Sequence, residues 1–183
     1  ILEGSDLEEI RSLVPGIADG TISFSAKAEV EGGSLEESIS YTIAGVKDNY
    51  AQISNLSLAV GEFLTEENEE GKEKGCVLGG DVAEEIFENC YDAYDSTIYI
   101  DNRPYVVAGV LEKMGTVSSG ISPDGAVFLP YSTTIKYLTG SGISPTVTVI
   151  AEEVEQVGDI IDRIEEILTE NYPNTKFTLS DAG

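Results

Sequence analysis

Four oxygen-donor side chains lie close together in the middle of the chain, where they could bind a cation. They are Asp92, Asp95, Asp101 and Asn102. Calcium takes about six to eight oxygen ligands, and the EF-hand supplies them from a loop with a fixed glycine and a closing glutamate. That spacing is absent here. A second group that could bind a cation is the run of glutamates Glu66, Glu67, Glu69 and Glu70. We interpret both groups as solvated loop carboxylates and predict no metal site.

Hydrolytic chemistry has little support in the residues. The chain contains no histidine, which removes the commonest general base and the histidine of any catalytic triad. No serine lies in a GxSxG motif. With 34 acidic residues, some carboxylate pairs lie near each other by chance. We predict that the chain has no catalytic residue and is not an enzyme.

Two glycines, Gly79 and Gly80, follow an apolar segment and precede a helical pattern, as in a phosphate-binding loop. Neither phosphate-binding motif, GxGxxG or GxxxxGK[ST], is present, and the next residue is the acidic Asp81. We interpret the pair as the start of a helix and predict no cofactor site.

The two cysteines, Cys76 and Cys90, are spaced neither as a metal knuckle nor as a redox pair. Free thiols that pack as small apolar groups are one interpretation. A disulfide is the other, and an oxidising exterior would favour it.

The net charge of −24 excludes several classes of partner. A field of this sign repels nucleic acid and anionic lipid headgroups. The simplest interpretation of the negative charge is that it keeps the protein soluble. The more specific alternative is that it attracts a cationic partner or peptide substrate. No apolar run is long enough to span a membrane. Because the chain starts at Ile1 rather than at methionine, we expect a soluble fragment excised from a longer protein.

The first third of the chain predicts a helix followed by a hairpin. Residues 5–14 have helical spacing, with Ser5 and Glu8 as a capping box. Apolar and polar residues alternate over 21–31 and over 39–43, which indicates two strands joined by a glycine turn.

The middle of the chain predicts short strands around one helix. Strands are expected at 76–78, 97–100, 103–110 and 126–129, with Asp101-Asn102 as a tight turn. Asp81 and Glu84 are predicted to cap a helix, and 66–74 reads as a charged loop. Residues 133–138 are predicted to form one or two helical turns.

The end of the chain predicts a βαβ unit. A strand at 146–150 leads into an amphipathic helix over 152–172, and a last strand is expected at 176–179.

Four segments together resemble a known family, the MacB-like periplasmic core domain. They read AGVKDNYAQISNLSLAVGEFLTEEN at 44–68, CVLGGDVAEEIF at 76–87, TIYIDNRPYVVAGVLEKMG at 97–115 and DGAVFLPYSTTIKYL at 124–138. The chain departs from the family pattern at Glu62, where relatives usually carry arginine. A second departure is at 93–96, where Ala-Tyr-Asp-Ser replaces Pro-Leu-Gly-Lys.

The resemblance implies an α+β fold with two lobes. One lobe would be a membrane-proximal, βαβ-containing unit built from both chain ends, residues 1–53 and 137–183. The other would be a mostly β lobe with one helix, residues 54–136, inserted in the middle.

The resemblance also implies a function. The domain would be a non-catalytic, extracytoplasmic part of an ABC-transporter permease in the cell membrane. It would couple ATP-driven motion of membrane helices to export or extraction of a peptide, an antibiotic or a lipoprotein, or dock a partner. ATP would be used by the associated cytoplasmic ATPase, and an adaptor, a peptide substrate and a permease dimer are the implied partners. A calcium-dependent adhesion domain and a secreted carboxylate-based hydrolase are the alternatives.

The loop over residues 113–124 is the predicted partner contact. Its glycines and serines favour mobility, and its apolar ends are adaptable. The predicted contact residues are Met114, Ser118, Ser119 and Ile121. Both chain ends would return to the membrane, so we expect Ile1 and Gly183 on one side of the molecule.

Overall fold

The computed structural model describes residues 1–117 and 120–181. Within these ranges the α-helices are α1 (Gly4–Leu13), α2 (Tyr50–Ile53), α3 (Glu66–Glu70), α4 (Gly80–Phe87), α5 (Cys90–Ala93), α6 (Tyr131–Thr134) and α7 (Val157–Asn171). The strands are β1 (Ile17–Glu31), β2 (Ile39–Val46), β3 (Leu58–Gly61), β4 (Gly75–Leu78), β5 (Thr97–Ile100), β6 (Arg103–Leu111), β7 (Ala126–Pro130) and β8 (Thr146–Ala151). The predicted mixed α+β class is confirmed.

The chain contacts define two compact units. The larger is Ser23–Pro145, and the smaller combines Leu2–Ile22 with the residues from Thr146 onward. These bounds differ from the predicted lobes, because the β1–β2 hairpin pairs with strands from the middle of the chain. The lobe division 1–53 plus 137–183 against 54–136 stays a prediction.

In the larger unit, six strands pair in a closed ring, in the order β1-β2-β7-β4-β6-β5 and back to β1. The β2–β7 and β4–β6 pairs are parallel, and the other pairs are antiparallel. Closure leaves these strands without a free edge, which is how barrels avoid edge-to-edge association. β3 adds to the far end of β6.

β7 is buried on both faces, and its successive residues fall in two different clusters. Val127 and Leu129 of β7 belong to the inner cluster with Ile86 of α4. Ala126 and Phe128 belong to the second cluster, whose further members include Tyr50, Leu64 and Leu111. Alternate side chains point to opposite faces of a strand. Because both faces of β7 are buried, its sequence is a continuous run of apolar residues.

Both predicted hairpins are present. β1 and β2 are antiparallel over Phe24↔Gly45 to Val30↔Ile39. Between β5 and β6, Asp101 and Asn102 have φ of 50° and 64°. Two consecutive left-handed residues form the type I′ turn whose twist matches that of the strands.

The smaller unit packs α1 and α7 around one apolar cluster. Its buried members are Ile10, Val14, Ile160, Ile167 and Leu168. β8 pairs with β1, and Glu152 N donates to Gly16 O at 2.7 Å.

The predicted helix caps were wrong. α1 begins one residue earlier, with Glu3 as N-cap in a reciprocal box with Asp6 rather than Ser5 with Glu8. α4 begins at Gly80 without a side-chain cap. The Gly79–Gly80 pair starts this helix, as predicted.

Two predicted segments have a different structure. The start of the charged loop forms α3, whose N-cap Thr65 accepts from Asn68 N. The predicted last strand at 176–179 has no regular structure. Its Phe177 is half-buried against the α1–α7 cluster, although no neighbouring strand among the described residues pairs with the segment.

Candidate interaction surfaces and family

Two of the oxygen donors that could have bound a cation, Asp92 and Asp101, contact neighbouring side chains. Asn89 caps α5 and donates from Nδ2 to Asp92 Oδ2 at 3.1 Å. Asp101 faces Arg103 at 3.8 Å. Across residues 1–117 and 120–181, no group of three or more potential ligands is arranged for a metal ion.

The acidic run is likewise part of the scaffold. Glu69 accepts from Lys47 Nζ and from Ser132 N, both at 2.9 Å. Its own carbonyl accepts from Ser132 Oγ at 2.5 Å. These contacts join α3 to α6, so at least one carboxylate of the run has a structural partner.

Both cysteines are free, with Cys76 buried and Cys90 half-buried. Burial raises the pKa of the Cys76 thiol well above its ordinary value, because the charged thiolate loses its hydration in an apolar site. Cys76 therefore packs as an apolar side chain of the inner cluster.

The loop predicted to contact a partner is anchored at both described ends. Asp124 accepts from Met114 N and from Gly115 N, both at 2.8 Å. Lys113 Nζ lies 2.8 Å from Glu84 and 3.1 Å from Asp81 of α4. Asp81 and Glu84 of α4 therefore hold the start of the loop, and Asp124 ties its end back to Met114 and Gly115.

The four predicted contact residues differ in their exposure and in whether the structure describes them. Met114 is 40% exposed and available to a partner. Ile121 is partly buried against the second cluster. Ser118 and Ser119 lie outside the described residues. A contact role for this loop stays a prediction.

Large apolar side chains that the sequence did not single out are exposed on the β5–β6 hairpin and on α5. Tyr99 and Val106 are exposed on the hairpin, and Tyr91 is exposed on α5. Tyr99 lies opposite Pro104 in the register. Period-two alternation within 97–100 could have identified the outward residues, but the closed ring decides which face points outward.

Described residues near both ends of the chain pack within the smaller unit. Leu2 and Phe177 pack against the same cluster. Tyr172 Oη donates to Asp6 at 2.8 Å, and Asn171 Nδ2 donates to Glu9 at 2.6 Å. The expectation for Gly183 falls outside the described residues, and its placement beside Ile1 stays a prediction.

Comparison with known proteins identifies the class. A structure of the extracellular domain of YknZ, a noncanonic ABC-type transporter from Gram-positive bacteria, superposes with a TM-score of 0.77 and 17% identity, covering 95% of this chain and 86% of that one. The periplasmic region of MacB from Actinobacillus actinomycetemcomitans gives a TM-score of 0.72 at 20% identity, covering 97% and 85%. At sequence identities of 17% and 20%, this structural similarity establishes a shared fold.

The family follows from the sequence match. The model of the MacB-like periplasmic core domain matches residues 2–167. The chain therefore belongs to the MacB-like periplasmic core domain family, a family of transporter domains rather than enzymes.

Full-length relatives carry the same domain. The macrolide export ATP-binding/permease protein MacB of Wolinella succinogenes is 28% identical over 70% of this chain and 20% of its own length. The pyoverdine export ATP-binding/permease protein PvdT of Pseudomonas syringae pv. tomato is 28% identical over 83% of this chain and 22% of its own length. The chain thus spans about a fifth of these relatives. None of the helices in the described ranges is long and apolar enough to cross a membrane.

Proposed function

We propose that this domain couples movement of permease membrane helices to export or extraction of a substrate outside the cytoplasm. In this proposal the domain does no chemistry itself. ATP is hydrolysed by an associated ABC ATPase, and the permease acts as a dimer. The family match and the names of the full-length relatives support the transport context.

The observation that carries the proposal is the joining of the two chain ends. The Tyr172–Asp6 and Asn171–Glu9 hydrogen bonds link the end of α7 to α1, and Leu2 and Phe177 share one apolar cluster. A displacement of either end would therefore be transmitted to the other through packed side chains. Rigid-body motion of such a unit is a common switching mode.

The substrate and the adaptor belong to the same proposal. The relatives' names include macrolide export and pyoverdine export, and we extend the substrate class to peptides, antibiotics and lipoproteins. An adaptor or peptide would contact the exposed side of the 113–124 loop through Met114. No calcium-dependent or hydrolytic role is proposed, since the family match concerns transporters.

The test uses the full-length permease with its ATPase in proteoliposomes. The variant Ile160→Ala, Ile167→Ala loosens the packing between the two chain ends, and Val154→Ala is the control because Val154 is 84% exposed. ATP hydrolysis is measured beside transport of a radiolabelled macrolide and of an antimicrobial peptide, and beside release of a lipoprotein. We expect the core variant to retain hydrolysis and lose transport.

Two results would contradict the coupling proposal. One is full transport by the Ile160→Ala, Ile167→Ala variant when faster amide hydrogen exchange shows that the packing of its smaller unit is loosened. The other is an equal loss of transport and hydrolysis in the control and the core variant.

A further inference from the structure

Three of the ten basic residues of this acidic chain surround one tyrosine. The Nζ atoms of Lys74 and Lys136 lie 4.4 Å and 5.1 Å from the ring centroid of Tyr137, and the guanidinium carbon of Arg103 lies 5.4 Å from it. Cations within about 6 Å of an aromatic face are attracted to the ring. We name Lys74, Arg103, Lys136 and Tyr137 the cation cluster.

The fold brings these residues together from three places in the chain. Lys74 precedes β4, and Arg103 is the first residue of β6. Because β4 and β6 are parallel neighbours, both residues lie at the same end of the ring. Arg103 Nη1 also donates to the carbonyl of Tyr137 at 2.9 Å.

Lys136 and Tyr137 lie in an unusual backbone segment. Residues Ile135–Thr139 form a π-helical turn directly after α6. π-Helical turns are rare in proteins, but those that occur are often found at functional sites. The wider turn orients side chains differently from an α-helix. The turn is therefore a second observation at this location, independent of the charges.

The positive charges of the cluster are weakly neutralised. In the described ranges, Lys74 and Lys136 form no ion pair, and the carboxylate facing Arg103 is that of Asp101 at 3.8 Å. The other ion pairs among the described residues are shorter, at 2.8–3.2 Å. A side-chain hydrogen bond from Lys136, followed by the charges of Lys136 and Lys74, lowers the pKa of Tyr137 below its ordinary value, because these contacts favour the phenolate.

A buried hydroxyl adjoins the cluster. Tyr105, two residues after Arg103, is fully buried in the ring, and its Oη has no hydrogen-bond partner among the described residues. Burial raises its pKa to about 12, and the charge of Arg103 opposes this rise. An unpartnered donor therefore lies within the electrostatic reach of Arg103 and Tyr137.

We propose that the cation cluster binds a small oxyanion, specifically the phosphate group of a small molecule. The two ammonium groups and the guanidinium supply charge-assisted donors, and the Tyr137 hydroxyl supplies a fourth. The net charge of −24 repels extended polyanions and anionic membrane surfaces, so a compact anion is the ligand that local attraction can hold. The proposal is independent of the transport function and is tested without the ATPase.

The experiment is a titration of the isotopically labelled chain with inorganic phosphate at low ionic strength, followed by amide and tyrosine-ring NMR. We expect saturable shifts centred on Tyr137, Lys136 and Arg103, and an increase of the Tyr137 pKa as phosphate neutralises its neighbours. The variants Arg103→Gln and Lys136→Gln should each weaken binding about two- to fivefold, the scale of an exposed charge contact. Lys27→Gln, at an exposed cation on β1, is the matched control and should bind normally.

Two further arms identify the source of the anion and test specificity. Phosphatidylglycerol vesicles should not bind the chain, and sodium chloride at about 1 M should abolish the phosphate shifts, since screening then acts within about 3 Å. Three results would overturn the proposal. They are shifts that do not saturate or lie elsewhere, an equal loss of affinity in Lys27→Gln and Arg103→Gln, and binding to vesicles without binding to free phosphate.

Discussion

Tyr105 combines full burial with a hydroxyl that has no partner within the described part of the chain. A buried hydroxyl without a hydrogen bond costs stability, because it loses its water contacts without replacement. The raised pKa has the same origin, since the phenolate would be still more costly in this site.

The variant Tyr105→Phe should stabilise the chain by about 1 kcal/mol, measured by urea denaturation near pH 7. The sign of the pH effect follows from the raised pKa. The contribution of Tyr105 is complete below the unfolded pKa of about 10 and is lost as the pH rises toward about 12. Tyr105→Phe should therefore lose less stability between these values than the native chain. Destabilisation at neutral pH would show that the hydroxyl has a favourable role.

Asp124 is the residue that shapes the predicted contact loop. Its two carboxylate oxygens each accept a backbone N–H, from Met114 and from Gly115. The Ser-Pro-Asp-Gly sequence at 122–125 is typical of a turn, but the carboxylate's partners are about ten residues away and do not follow from turn chemistry.

Asp124→Asn should lower the free energy of unfolding by about 1–2 kcal/mol, because the amide nitrogen cannot accept one of the two backbone hydrogens. Amide exchange at Met114 and Gly115 should accelerate. Asp48→Asn, which removes an exposed carboxylate, is the control and should change neither quantity. Unchanged exchange at both amides would mean that Asp124 does not anchor the loop.

At the scale of elements, α7 stabilises the smaller unit through one apolar face. Ile160, Ile167 and Leu168 are buried against α1, whereas the opposite face is acidic, as the charged residues Asp162, Glu165, Glu166 and Glu170 show. The amphipathic period of the sequence therefore identified the buried side of this helix correctly.

Ile160→Ala should destabilise the chain by about 2–4 kcal/mol, because it removes buried methylene groups and leaves a cavity. Val154→Ala, at an 84% exposed position, should change stability by less than about 0.5 kcal/mol. Thermal denaturation followed by circular dichroism compares the two. Equal effects would mean that α7 does not pack as described.

At the scale of the whole molecule, charge is the dominant property. With 34 acidic and 10 basic residues, self-repulsion disfavours the compact state. The ion pairs of the described residues are largely exposed, and such pairs contribute little stability.

Raising sodium chloride from about 10 mM to about 150 mM should increase the melting temperature, because the Debye length falls from about 30 Å to about 8 Å. The variant Glu165→Lys relieves repulsion on the acidic face of α7 and should reduce this increase. A melting temperature that falls with salt would indicate that specific ion pairs outweigh the repulsion.

The sequence by itself determined the α+β class, the β1–β2 and β5–β6 hairpins, the start of α4 and the apolar face of α7. These depend on local signals, namely residue periodicity, turn residues and glycines. The family resemblance was also readable from the sequence, since the order of the four segments is a property of the chain.

Tertiary structure alone decided the closed ring, the anchoring of the loop by Asp124 and the cation cluster. Each joins residues that are distant in the chain. Lys74 and Arg103 lie at one end of the ring because β4 and β6 are parallel neighbours, and the turn after α6 adds Tyr137 to them. The missing last strand has the same explanation. Residues 176–179 alternate in burial as a strand would, but a strand also requires a neighbouring edge with free N–H and C=O groups, and local sequence does not specify that edge.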